Sequence, residues 1–409
     1  MSYIQKITTE IPYSKKKLNI ELQGKNLILT GKNGSGKTQL INLLHNFLEK
    51  RIVQQKNDFQ ELTLELIKAR QYSEILSKSD ANYDLYFKSK KELEAEIQDI
   101  LNPIIETSDI ELLIANYNDG KVVCLKFEAT RQAKIENTES VKSIESLKQQ
   151  NSSLNKSDAL YFEQYLVSYK IQQAYANSKE IGNNQQEAEN IQVWFNKLED
   201  DFRALFEDDQ LSIEFDYKNQ RFLIHQPDKE PYGFQQLSSG FSSILAVYAE
   251  LLTKIRLRDL TPDELKGIVL IDEIDAHLHP SLQRKIFSFL THAFPNIQFI
   301  IATHSPFVVS SVDNAVIFDL STLQAVNENL FMYSYEAILE GLFNILPSPE
   351  MLSDKINQIG NLISKENIEI NELKNSVHEI EPYEEKIDPE SLMFLKKAQL
   401  LIKKNKKDN

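Results

Sequence analysis

The chain has 409 residues, 41% apolar and 26% charged, enough for two or three domains around a sizeable core. Sixty acidic residues against 46 basic ones give a net charge of −14, which excludes a surface that coats nucleic acid generally. A single cysteine, Cys124, excludes an internal disulfide and any cysteine-rich zinc site.

The first residues, "MSYIQKITTE", lack the apolar stretch of a signal peptide, and no segment approaches the roughly 18 to 20 apolar residues that cross a bilayer. The chain therefore reads as cytoplasmic, with no membrane partner. The basic runs "SKKK" and "IKKNKKDN" read as solvated charge, leaving DNA as a possible partner only through local patches.

In chain order, "LNIELQG" alternates apolar and polar residues, and "NLILT" is a short buried strand that runs into glycines. From Gln39 to about Leu101 the pattern is helical. "IELLIANYNDGKVVCLKFEATR" is expected to be a β-hairpin turning at "NDG". Helix resumes from about Ser140 to Phe206, broken by loops at "NSSLNKSDA" and "EIGNNQQ". "LSIEFDYKNQRFLIHQ" reads as a second hairpin.

Helix and strand then alternate: "FSSILAVYAELLTKI", "GIVLIDE", "SLQRKIFSFLTHAF", "QFIIATHS". That alternation implies a parallel sheet with both faces covered. Past Leu330 the tail is helical, with Asp388 as cap and Pro389 in the first helical position. Leu392, Leu395, Gln399 and Ile402 then mark one face that is mostly apolar.

The expected fold is α/β, a mostly parallel sheet with an antiparallel β subdomain. Its core is split between residues 1–38 and 210–330, around a helical insertion (39–209) with a hairpin near 109–131; a helical extension occupies 331–409.

"GKNGSGKT", Gly31 to Thr38, has the phosphate-loop spacing Gly-x-x-x-x-Gly-Lys-Ser/Thr between a buried strand and an amphipathic helix. Gly31, Gly34 and Gly36 let the backbone curl so that consecutive N–H groups face phosphate oxygens, and the helix adds its positive end. The nucleotide-contacting set is then Gly31, Lys32, Asn33, Gly34, Ser35, Gly36, Lys37, Thr38 and Gln39. Lys37 reaches the β and γ phosphates, and the Thr38 hydroxyl ligates Mg²⁺. A merely flexible glycine turn does not account for the strand, the Lys-Thr pair and the helix all in register.

"GIVLIDE" is a buried strand that emits two carboxylates at its carboxyl end, where parallel sheets bind ligands. Asp272 suits Mg²⁺ and Glu273 suits a base for the attacking water, against the plainer reading of two solvated carboxylates. "QFIIATHSP" delivers His304 in the same way. A lone histidine is usually structural; these neighbours favour a functional one.

These pieces resemble the ABC-type ATPases, in the order loop, signature, carboxylates, histidine. "LSSGFSS" looks like their signature motif, LSxGxxx at a helix start. The resemblance implies that Ser238, Ser239 and Gly240 contact the γ-phosphate held by a partner chain, so that two ATP sites form between head-to-tail copies. It places Asp275 on the D-loop and His304 at the switch position. Gln132 is a candidate for the Mg²⁺-linked glutamine loop, with a surface glutamine as the competing reading. Phe241 stands where transport proteins often carry a charged or amide residue, which weakens a transporter reading.

"DAHLHP" alternates Asp275, His277 and His279 as zinc strings sometimes do. It also resembles the "E-x-x-x-H-L-H-P" tract of the overcoming-lysogenization-defect ATPases and their relatives, which favours local structure or a dimer contact. The overcoming-lysogenization-defect nucleases carry a Toprim domain after the ATPase; here, after Val309, only "AVIFDL" resembles a strand.

What remains resembles the ATPase subunits of bacterial anti-phage systems, the Septu ATPases (PtuA) and their retron-associated relatives. That resemblance implies an ATP-hydrolysing subunit, with ATP and Mg²⁺ as cofactors. Its partners would be a second copy of itself and a separate nuclease or toxin effector. A DNA-repair ATPase acting directly on DNA, or an ATP-dependent scaffold with negligible turnover, remain the alternatives.

Overall fold

The computed structural model describes residues 3–54, 59–75, 88–95, 97, 103–136, 138, 143–150, 158–326, 330–343, 349–365 and 369–405. It divides into two compact units, Met1–Met332 and Tyr333–Asn409.

The first unit is built on a six-stranded sheet. Its strands are β3 (Asn26–Thr30), β5 (Val122–Phe127), β8 (Lys266–Ile271), β9 (Ile297–Ala302), β10 (Ala315–Asp319) and β11 (Gln324–Val326). The order is β11-β10-β3-β9-β8-β5, and every pair is parallel except the edge pair β10–β11. Inner strands of a parallel sheet are covered on both faces and read as unbroken apolar runs. "NLILT", "KGIVLI" and "IQFIIA" are such runs, and nearly every residue in them is buried.

Over one face lies the helix Lys37–Leu48, which buries Leu40, Ile41, Leu44 and Leu48 at helical spacing. These pack with Leu27, Leu29, Ile268, Leu270 and Ile300 of the sheet. A small antiparallel sheet joins the same core: β1 (Ile4–Glu10) between β2 (Lys17–Glu21) and β4 (Ile105–Thr107). A separate hairpin pairs β6 (Ser212–Asp216) with β7 (Arg221–His225).

The hairpin expected at 109–131 is not formed. Ile110–Asn118 is an α-helix, capped by Asp109, whose side chain accepts from the Leu112 N–H at 2.9 Å. "IELLIANYN" places Leu113 and Tyr117 four apart on one buried face, a helical period that overrides its β-rich composition. "NDG" ends this helix, Gly120 taking a left-handed φ of 73°. Only the second half is a strand, β5, and it pairs in parallel with β8 of the main sheet. Residues 105–131 therefore contribute two strands to the core, and the 39–209 segment is not a simple insertion.

In the second unit, helices Glu350–Ser364, Ile370–Ile380 and Pro389–Asn405 share their own apolar core around Ile359, Leu373 and Leu395. Asp388 caps the last of them, accepting from the Ser391 N–H at 2.9 Å and from its hydroxyl at 2.7 Å. Among the described residues, no helix is long and apolar enough to cross a membrane.

Candidate functional site

The parallel order β3-β9-β8 fixes the site. It lines up three carboxyl ends: the glycine loop after β3, His304 after β9, and Asp272 and Glu273 after β8. Backbone bonds extend the ladder past the strands, from the Thr303 N–H to the Leu29 carbonyl (3.0 Å) and from the Ile274 N–H to the Ala302 carbonyl (3.0 Å).

The loop is tightly walled. Gly31 has φ 130°, and a Cβ there would sit 2.9 Å from both Asp319 Oδ1 and Ser321 Oγ. Gly36 has φ 104°, and its Cβ would meet Ile11 at 2.6 Å. Both positions demand glycine on conformation and on space. Gly34, with φ 77°, has nothing within 4 Å of its Cβ direction, so its exposed side is open to a ligand. The turn after β10 braces the loop: Ser321 Oγ accepts from the Lys32 N–H at 2.8 Å, and Asp319 accepts from the Ser321 N–H at 2.8 Å.

Lys37 is buried, and its ammonium donates to the carbonyls of Gly31 (2.8 Å) and Lys32 (3.3 Å). Burial lowers its pKa; the charges of Asp272, Glu273, Asp275 and Asp319 act in the opposite sense. His304 is pulled below its ordinary value of 6.5, first by burial and then by Lys37, with Asp275, Glu273 and Asp272 opposing. Lys37, the two strand-end carboxylates, Asp275 and His304 thus share one electrostatic environment.

The fit to a nucleotide and Mg²⁺ rests on two orphaned groups. Asp272 Oδ1 and Ser35 Oγ, both at the glycine loop, are buried with no hydrogen-bond partner, which leaves them free to meet a ligand. An uncommitted carboxylate oxygen whose charge acts on the buried lysine of a glycine cradle has the right chemistry for a phosphate-bound Mg²⁺. Thr38, exposed on the first turn of its helix, is the other side chain available to such a cation.

Asp275, expected on the D-loop, accepts from Thr303 Oγ1 at 2.5 Å, which ties it to the residue beside His304. His277 is exposed with φ 65°, and His279 caps the short helix Pro280–Gln283, its Nδ1 lying 3.0 Å from Ser281 Oγ. Among the described residues, no cluster of His, Cys, Asp and Glu is arranged to hold a metal.

Helix Ser239–Leu257 begins with the residues expected to form the signature. Ser238 and Ser239 are exposed at its start, and the Ser238 side chain makes no capping bond. Gly240 is buried, and the Phe241 ring stacks on Phe206 at 3.9 Å, a use inside its own chain. Gln132 lies exposed just past β5.

Sequence reasoning missed Arg131, immediately before Gln132. Its buried guanidinium donates to the carbonyls of Asp272 (2.9 Å), Ile274 (2.9 Å) and Glu128 (3.1 Å), and at 3.4 Å to that of Glu273. Burial brings its pKa down to about 10 against the pull of Asp275, Asp272 and Glu273. The missing signal was β5 itself: once 122–127 is a core strand beside β8, the residues just past its carboxyl end face the site. Asp319 and Ser321 were missed for the same reason, since β10, which Asp319 ends and Ser321 follows, is the loop strand's other neighbour.

A phosphate loop at the end of one parallel strand, two carboxylates and a histidine at the ends of its neighbours, and a separate serine-glycine helix start define a P-loop ATPase of the ABC type. The family described as "AAA domain, putative AbiEii toxin, Type IV TA system" matches residues 27–310, and the chain belongs to it.

Among curated proteins, the chain is 36% identical to the Retron Ec83 probable ATPase of Escherichia coli over 154 residues, 32% of this chain and 28% of that protein. It is 32% identical to the Septu protein PtuA of Bacillus mycoides over 161 residues, 37% of this chain and 23% of the relative. The matched stretches thus span about a quarter of these relatives' lengths. The relatives it resembles are thus a retron's probable ATPase and a Septu protein.

Among solved structures, an Smc head bound to the C-winged helix domain of ScpA aligns over 77% of this chain and 94% of its own, at 13% identity and a TM-score of 0.37. A nucleotide-free ATP-binding cassette from an ABC transporter aligns over 80% and 92%, at 12% identity and 0.33. Likenesses this distant say nothing of the chain's activity or partners.

Proposed function

We propose that the chain binds and hydrolyses ATP as the motor or sensor subunit of an anti-phage complex. In this reading it works as a head-to-tail pair and controls a separate nuclease or toxin effector. The observation that carries the reading is the convergence of Lys37, Asp272, Glu273 and His304 on the carboxyl ends of three adjacent strands, beneath a glycine cradle that admits no Cβ at two positions.

In this reading, the loop N–H groups from Gly31 to Gln39 hold the phosphates, and Lys37 neutralises the β and γ oxygens. Thr38 and Asp272 hold Mg²⁺, with Gln132 on the same side. The cation, when bound, spreads the charge that develops on the phosphates. Glu273 orients water and accepts its proton as the γ-phosphoryl group leaves. His304, where burial and Lys37 oppose a positive charge on the ring, donates or accepts a hydrogen bond at the γ-phosphate.

Ser238, Ser239 and Gly240 supply the second wall from the other copy. The exposure of both serines, with no capping bond from Ser238, supports a partner-facing role. The likeness to retron and Septu proteins supports the defence role.

The test is phosphate release by the purified chain with Mg²⁺. Glu273→Gln is expected to slow turnover by roughly 10²- to 10⁴-fold while leaving ATP bound. A slow rate that Glu273→Gln does not change supports a scaffold instead. DNA binding strengthened by ATP and steeply weakened by salt supports direct action on DNA.

A further inference from the structure

Arg131 stands out because its charge is spent in an unusual way. A buried guanidinium is costly to desolvate and normally faces a carboxylate. Among the described residues Arg131 makes no ion pair, and its Nε has no partner at all. Its donors go instead to the backbone. The shortest, at 2.9 Å, reach the Asp272 and Ile274 carbonyls, with the Glu273 carbonyl between them at 3.4 Å. Three successive carbonyls turned toward one planar cation fix the peptide planes on both sides of Glu273.

Those planes need fixing. Glu273 has φ 42°, a left-handed conformation that a non-glycine residue adopts only when its surroundings hold it there. A change in that dihedral would redirect the Glu273 side chain. The same segment reaches the signature helix. The Ala133 N–H, two residues on, donates to the carbonyl (3.1 Å) and hydroxyl (3.0 Å) of Ser242.

We propose that Arg131 is a positioning residue for hydrolysis. It locks the strained Asp272–Ile274 turn so that the Glu273 carboxylate faces the water that attacks the γ-phosphate. This rests on the reading of Glu273 as the base. The competing role is purely architectural, a clamp between the ends of β5 and β8, where the Asp272 N–H already donates to the Phe127 carbonyl at 2.9 Å.

The experiment compares full-length wild type, Arg131→Met, Arg131→Lys, Glu273→Gln and the Arg131→Met/Glu273→Gln double variant. It reads kcat and KM for ATP, and Kd for ATPγS. Arg131→Met is expected to lower kcat by roughly 10- to 100-fold, with Kd within about 3-fold of wild type, because orientation and not affinity is lost. Arg131→Lys keeps the charge but presents a single point donor, so its kcat should fall between the two; it also carries the comparison if Arg131→Met does not fold. Residues that act as a unit are non-additive. In the Glu273→Gln background, replacing Arg131 should therefore cost little more.

An unchanged kcat in Arg131→Met overturns the proposal. So does an equal fold-loss in both backgrounds, which is the signature of a structural clamp. If wild type turns over ATP and Glu273→Gln abolishes that while the Arg131 variants do not, Arg131 alone falls. If Glu273→Gln has no effect, the reading beneath it falls as well.

Discussion

The α-carbon of Gly240, in the first turn of the signature helix, faces the backbone carbonyl of His277 so closely that a Cβ would lie 2.9 Å from that oxygen. Gly240 is not at positive φ, so space and not conformation requires glycine here. The contact joins the helix start to the loop that follows Asp275. Gly240→Ala forces a methyl group against the rigid His277 backbone, and overpacking of this kind costs about 1–3 kcal/mol. We expect a lower melting temperature together with loss of ATP-dependent association. A variant that melts and associates like wild type would show that the loop yields without consequence.

Lys37 is the buried cation of the cradle, so Lys37→Ala should remove nucleotide binding before it removes the fold. Ligand that binds only the native state stabilises it by about 2.7 kcal/mol at a hundred times Kd. Wild type should therefore gain several degrees of melting temperature with Mg²⁺ and ATP, and Lys37→Ala should gain none. Equal shifts in both would place the nucleotide elsewhere.

If Ser239 serves the nucleotide of the opposite chain, two dead variants should repair each other. Ser239→Arg puts a bulky cation on the exposed helix start, and Lys37→Ala empties the cradle. A heterodimer of the two keeps one composite site, built from the intact loop of one chain and the intact signature of the other. In an equimolar mixture about half the dimers are mixed and each has one good site of two, so about a quarter of wild-type turnover should return. Recovery that stays at background means the signature acts within its own chain or not at all.

His304 gives a pH signature. Its pKa lies below 6.5 in the folded chain, because burial and Lys37 both oppose a second positive charge. As pH falls through 6.5 the unfolded chain gains a proton that the folded chain resists, so this residue's contribution to stability is lost on acidification. Melting temperature should drop below pH 6.5 in wild type, and less steeply in His304→Gln. Parallel curves for the two proteins would mean the ring titrates as it does in the unfolded chain.

The parts of the site legible in the sequence were those whose chemistry is local. The glycines, Lys37 and Thr38 fall within eight residues, and Asp272 and Glu273 directly follow an unbroken apolar strand. Legibility failed where pairing is remote. Nothing near Val122 announces that β5 adds to β8, and the helical face of Leu113 and Tyr117 hides within residues rich enough in isoleucine and tyrosine to pass for a strand. Arg131 takes its meaning from carbonyls 141 to 143 positions later, which no local pattern encodes.

The signature helix is anchored to the segment at 158–161 by a buried charge cluster that can be tested alone. Lys254 Nζ lies 2.8 Å from Asp158 Oδ2 and 3.0 Å from Glu250 Oε1, with all three side chains almost wholly buried. Glu250 also accepts from the Ala159 N–H at 2.9 Å. Burial raises the Asp158 pKa, with Lys254 opposing the rise and the Glu250 charge adding to it. Lys254→Met removes the cation and leaves two carboxylates facing each other out of water, a change that costs about 3–5 kcal/mol. Replacing Asp158, Glu250 and Lys254 together with apolar residues of similar volume removes the charges with the lysine and should recover much of the loss. Denaturant midpoints that do not move in Lys254→Met would mean that water reaches the cluster and screens it.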